Sequence, residues 1–181
     1  MSISDAIKHD HRELEDYYNK IKSATDDDTK VRYQNQFVWE LARHSIAEEI
    51  VVYPALEEHV DNGREIADKD RQEHLVVKKR LYKFQKMYPK DAEFIPVLDG
   101  LMKTLQGHIK DEEKHDLVAL EGGIEGTQSE DLAKSFKRTK LFVPTQSHPS
   151  APDKPPFETV AGLLSAPLDK LMDMFKKFPK D

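Results

Sequence analysis

Over its first 120 residues the chain sets its apolar side chains at alternating intervals of three and four, the spacing of helices that each bury one stripe. Four stripes can be written: Ile7, His11, Leu14, Tyr18, Ile21; then Phe37, Leu41, His44, Glu48, Val51; then His74, Val77, Leu81, Phe84; and Leu98, Leu101, Leu105, His108, Glu112, His115, Ala119. No segment alternates at period two over strand length, so the expected class is all-α. Turn-forming runs at Thr25 to Asp28, Asp61-Asn62-Gly63 and Tyr88-Pro89-Lys90-Asp91 separate the stripes. Four helices on short connections predict an antiparallel four-helix bundle. Pro54 falls inside the second run, where a kink or an end is expected, and Pro96 limits the start of the fourth. Gly100 and Gly107 each cost about 1 kcal/mol relative to alanine in a helix, which predicts close packing there.

The character of the chain changes after this stretch. Residues 1–88 hold a single proline, Pro54, whereas 144–156 hold five. Residues 121–181 carry 9 acidic and 9 basic side chains, so the whole net charge of −6 lies in residues 1–120. The expected organisation is a bundle at 1–121 and a C-terminal extension at 122–181, proline-rich, ending in an amphipathic helix and packed on or near the bundle. Within that final helix Leu164, Leu168, Leu171, Met172 and Phe175 recur at helical spacing, a stripe able to pack on the bundle or to lie on a membrane surface, with packing expected.

The acidic balance disfavours a general nucleic-acid binder, and the short basic run Lys134, Lys137, Arg138, Lys140 reads as a solvated face, so no nucleic-acid partner is expected. Cysteine is absent, which removes disulfides, thiolate metal sites and thiol nucleophiles. No apolar run reaches the length of a signal peptide or a transmembrane segment, and a cytoplasmic protein is expected. Nucleotide-binding and hydrolase motifs are missing: Gly122-Gly123-Ile124-Glu125-Gly126 is followed by no Lys-Ser or Lys-Thr.

The polar members of the stripes repeat. His44-Ser-Ile-Ala-Glu48-Glu49 matches His108-Ile-Lys-Asp-Glu112-Glu113 at an offset of 64, and upstream histidines complete each unit, His11 lying 33 residues before His44 and His74 lying 34 before His108. Residues four apart share a helix face, about 5–6 Å between Cβ atoms, so each His-x-x-x-Glu can reach neighbouring coordination positions. Two such units facing one another aim four imidazoles and two carboxylates at one point, a donor set suited to a dinuclear metal site with positions left open. A single histidine on an apolar stripe is ordinarily a hydrogen-bonded core residue. A buried Glu48 and Glu112 argue otherwise, because ionised carboxylates in a core are costly without a cation, and no Lys or Arg shares their stripes. Of the remaining histidines, His9 points away from His11 and His59 reads as a helix-end cap. His115 reads as a core or supporting residue, and His148 as a loop residue within reach of the bundle mouth if the extension folds over it.

His11, His44-x-x-x-Glu48, His74 and His108-x-x-x-Glu112 resemble the hemerythrin-like HHE cation-binding domains, four-helix bundles with a non-haem di-iron centre. The resemblance runs from residue 4 to about 121, and Asp10-His11-Arg12 and the stretch through Tyr53-Pro54 lie close to the family's usual wording; the extension from Phe142 resembles that of fungal members. It implies iron as the metal, since spacing alone suits zinc equally. Oxygen-carrying members hold a fifth histidine where this chain has Lys78, and their last carboxylate falls at Glu113, leaving Glu112 the first choice and Glu113 the reserve. A water, Glu15 or Glu49 would then fill the missing position. Three functions follow as expectations: a protein that binds or senses iron, oxygen or a related small molecule such as NO or peroxide; a redox enzyme that activates oxygen or peroxide at the same centre; or a metal-free interaction bundle.

Overall fold

A computed structural model describes residues 1–152, 154 and 157–180, and only the backbone of 157–163; the expectations touching Pro155, Pro156 and the Phe157 side chain lie outside the described residues. Helix α1 (Ile3–Ser23) starts on a reciprocal cap in which the Ser2 hydroxyl accepts from the Asp5 amide and the Asp5 carboxylate accepts from the Ser2 amide. Helix α2 (Asp27–Ala47) is capped by Asp26, which accepts from the Thr29 amide at 2.8 Å. It runs on through a π-helical turn, π1 (Glu48–Val52), into α3 (Tyr53–His59). After α4 (Gly63–Phe84) the same pattern returns: α5 (Phe94–Asp111), π2 (Glu112–Asp116) and α6 (Leu117–Gly123) form one rod. Four rods on short links are the antiparallel bundle that the stripes predict. Helices α7 (Gln128–Lys140) and α8 (Phe157–Asp173) follow. Among the described residues no helix is long and apolar enough to cross a membrane.

Two apolar clusters fill the bundle. One joins Leu14, Phe37, Leu41, Val77, Leu81, Phe84, Leu98 and Leu105. The other joins Ile3, Ile7, Val52, Tyr53, Leu56, Ala67, Leu117 and Leu120, and takes Ala133 and Phe136 from α7. On every rod the histidines and Glu48 or Glu112 fall between the two, so apolar layers above and below hold a buried polar belt. Phe136 is fully buried, and Phe136→Ala is expected to cost about 3 kcal/mol in thermal or urea unfolding, the range for an aromatic removed from a core.

The two π turns correct several expectations. Pro54 does not end its rod: it occupies the first turn of α3, where a missing amide hydrogen is tolerated. Proline is not the cause of the π turn either, since π2 forms with Val118 at the matching place. Each π turn inserts a residue and advances the buried face by one. Asp116 and Leu117 therefore turn inward and His115 is exposed, against its expected place on the stripe; likewise Val52 and Tyr53 are buried while Val51 is only partly so. Gly100 and Gly107 do not mark close packing: a Cβ at Gly107 would meet open space and one at Gly100 only the end of the Arg80 side chain. The tight glycines are Gly63 and Gly123, where a Cβ would lie 1.7 Å from the Leu56 carbonyl oxygen and 2.3 Å from that of His59.

Helix α8 also departs from expectation. It turns Ala166 and Asp169 inward, while Leu164, Leu168, Leu171 and Met172 face outward, as does Phe175 just past its end, Leu164 being 78% and Phe175 81% exposed. Asp169 supplies the reason, because its carboxylate accepts from the Thr145 and Gln146 amides and pairs with His148 at 2.9 Å, fixing the helix by its polar side.

Candidate metal centre

The belt between the apolar layers brings together all six residues singled out by the repeat. His11 comes from α1, His44 from α2, Glu48 from π1, His74 from α4, His108 from α5 and Glu112 from π2, and each is at least nine-tenths buried. His44 Nε2 lies 3.1 Å from Glu48 Oε1, and His74 Nε2 lies 3.3 Å from Glu48 Oε2. His11 Nε2 is 3.3 Å from Glu112 Oε2, and the Nε2 atoms of His74 and His108 are 3.1 Å apart. Among these six residues two sets of donor atoms each fall within 4.8 Å, His11 with His44 and Glu48, and Glu48 with His74 and His108. Glu48 belongs to both.

The outward ring nitrogens are as ordered as the inward ones. His11 Nδ1 meets Glu113 at 2.9 Å, His44 Nδ1 meets Asp10 at 3.1 Å, His74 Nδ1 meets Glu49 at 3.1 Å and His108 Nδ1 meets Glu73 at 2.9 Å. An N–H donated from Nδ1 to a carboxylate fixes the tautomer that leaves Nε2 free as a ligand, the usual second partner of a metal-binding histidine. Behind each carboxylate stands a cation: Arg12 on Glu113 at 2.5 Å, Lys140 on Asp10 at 2.5 Å, Lys78 on Glu49, and Lys69 near Glu73 at 3.6 Å. Four relays of histidine, carboxylate and cation thus surround the belt.

The alternatives that the sequence left open lie in different places. Glu113 faces His11 from outside and Glu112 faces the belt; Glu49 is held between His74 and Lys78; Glu15 pairs with Arg12 at 2.8 Å, away from the belt. His9 is exposed and lies 3.8 Å from Glu13, His59 sits at the end of α3, and His148 is taken by Asp169. The basic run is not a uniform solvated face, since Lys140 turns inward to Asp10 and Glu40. Sequence reasoning missed Asp10 and Glu73 as supports. A signal existed: Asp10-His11 and Glu73-His74 pair an acid with the next histidine at one offset, 63 residues. Lys140 and Tyr53, whose hydroxyl is 2.9 Å from His74 Nε2, had no such signal.

Electrostatics follow from this crowding. Burial alone lowers the His44 and His74 pKa values, but Glu48 with Asp10 raises the first to about 10 and Glu48 with Glu49 raises the second to about 9. Glu48 works against its own burial and is held well below the usual carboxylate range by the same two histidines. Burial, then the surrounding carboxylates, hold the Tyr53 phenol well above its ordinary value, so it stays a proton donor. Burial and Asp116 push Asp70 up to about 7.

Both oxygens of Glu48, both of Glu112 and Nε2 of His11 have no hydrogen-bond partner among the described residues, and neither carboxylate faces a Lys or Arg there. Their histidine neighbours stand at ion-pair distance without hydrogen-bond alignment. A core leaves such atoms bare at a cost of about 1–3 kcal/mol each, and cations answer all of them together. Nitrogen and oxygen donors without thiolate fit divalent iron, manganese or zinc. Lys140→Met should unfold about 3 kcal/mol more easily in chemical denaturation, because Asp10 and Glu40 lose a largely buried cation.

Comparison with known proteins agrees with this geometry. The hemerythrin HHE cation binding domain matches residues 2–120. A hemerythrin-like protein of Schizosaccharomyces pombe is 60% identical over 178 residues, covering 98% of this chain and 88% of that one. A DNA nickase of Nostoc sp. is 26% identical over 142 residues, 77% of this chain but 39% of the nickase. No solved structure gives a significant match.

Proposed function

Because the chain belongs to the hemerythrin HHE cation-binding domain family, we propose that it is a non-haem di-iron protein that binds or senses iron, oxygen or a related small molecule, NO or peroxide. The observation that carries this reading is Glu48, one carboxylate shared between two sets of histidine nitrogens. His11 and His44 would hold one iron, His74 and His108 the other, with Glu48 between them and Glu112 beside His11. Bound iron supplies redox electrons and open coordination positions. The chain itself does the rest: the four Nδ1 relays orient the imidazoles, the apolar layers restrict water, and Tyr53 offers an O–H to a small ligand. Lys78, paired with Glu49, stands where oxygen-carrying members hold a fifth histidine, which would leave a coordination position open to a small ligand.

Elemental analysis with absorption spectra in air and after reduction tests this. Two irons per chain with visible bands that bleach on reduction are expected; zinc, or no metal after iron-supplemented expression, would overturn it. The nickase likeness makes DNA the competing ligand, and the charge of −6 in residues 1–120 argues against it. A plasmid incubated with iron-loaded protein is expected to stay supercoiled.

A further inference from the structure

The two repeat units can be compared layer by layer around the belt. One turn before His11 lies Ile7, and one turn after Glu48 lies Val52, both fully buried apolar residues. At the same offsets, 63 and 64, the second unit holds Asp70 and Asp116. Asp70 on α4 and Asp116 at the end of π2 are near enough to repel one another electrostatically, so the pseudo-symmetry is broken by two carboxylates replacing two hydrocarbons.

Those carboxylates are deeply buried, and Lys69 at the rim is a positive charge that offsets them. Asp70 is 1% exposed and Asp116 6%, and both oxygens of Asp70 and Oδ2 of Asp116 have no hydrogen-bond partner among the described residues. One donor atom each of Asp70, Glu73 and His108 lie within 4.8 Å of one another, so Asp70 is aimed into a set of ligand-type atoms. The set opens to solvent. The Glu73 side chain is 33% exposed, and Lys69 stands over it, 3.6 Å from Glu73 and 3.4 Å from Asp111. Exposed pairs of this kind are worth about 0–1 kcal/mol and part readily, so an arriving cation can displace the ammonium.

We propose that Asp70 and Asp116, with Glu73 at their mouth, form a third cation site, made for a hard divalent ion, through which metal passes between solvent and the centre. The order of groups is graded: half-exposed Glu73 and Asp111, then buried Asp70 and Asp116, then Glu112 one turn beyond Asp116 and His108 against Glu73. A set in which carboxylates outnumber the single imidazole of His108 favours hard ions and releases them faster than the histidine-rich set beyond, as a transit site requires. The inference rests on the reading of the belt as a metal centre.

The test is uptake of Co2+ by the full chain after chelation, followed by cobalt absorption in a stopped-flow instrument and by final equivalents bound. Asp70→Asn and Asp116→Asn keep shape and remove charge; circular dichroism confirms that each folds. Both variants are expected to keep the parent's tightly held equivalents, those that survive gel filtration, with uptake slowed 10-fold or more, and Lys69→Ala to load at least as fast as the parent. Unchanged rates in the two Asn variants would overturn the transit site and leave the centre standing. Fewer tightly held equivalents would also overturn it, by making the pair part of the centre. A parent that binds no Co2+ would defeat the metal centre itself, and the transit site with it.

Discussion

Glu48→Ala is expected to leave the protein with less than half of the parent's bound metal, and His44→Ala to do the same, while His9→Ala stays at the parent level. Among the described residues Glu48 is the only carboxylate common to both donor sets, so its loss weakens two sites at once, whereas His9 is exposed and pairs with Glu13. Removing one ligand of a dinuclear site costs orders of magnitude in affinity, larger than the 10- to 100-fold typical of an outer partner. Metal analysis after gel filtration reads the result, and equal losses from all three variants would sink the ligand assignment.

The second large effect is on pH dependence. In the metal-free protein His44 and His74 titrate near 10 and 9 against about 6.5 when unfolded, so their stabilising protons are fully in place below 6.5 and are lost as pH rises through 9 and 10. Asp70 acts in the same direction lower down, since a buried acid raised to about 7 loses its favoured protonated form as pH climbs from about 4 through 7. Each tenfold gain in proton affinity on folding is worth about 1.4 kcal/mol, so the chelated protein should lose on the order of 7 kcal/mol between about pH 6.5 and 10. Metal held by the proposed Nε2 ligands would displace the histidine protons, so loading near neutral pH is expected to release about two protons per chain and to tighten as pH rises. Thermal melts of chelated protein and calorimetry in buffers of different ionisation enthalpy measure both; a flat stability profile with no proton release would refute the account.

Much of this was legible in the chain because a helix has a fixed period. Residues at intervals of three and four must share a face, so the four stripes, their breaks and the convergence of His11, His44, Glu48, His74, His108 and Glu112 followed from sequence order and the cost of burying charge. Only the tertiary structure decided the rest. The π turns at Glu48 and Glu112 change the period by one residue, which no repeat of three and four can signal, and they decide that Asp116 rather than His115 is buried. Lys140 reaches Asp10 across 130 residues, and Asp169 turns the apolar stripe of α8 outward by pinning the opposite face. Local periodicity fixes which residues face one way along a rod; which atom meets which, between rods, depends on distances that exist only after the chain has folded.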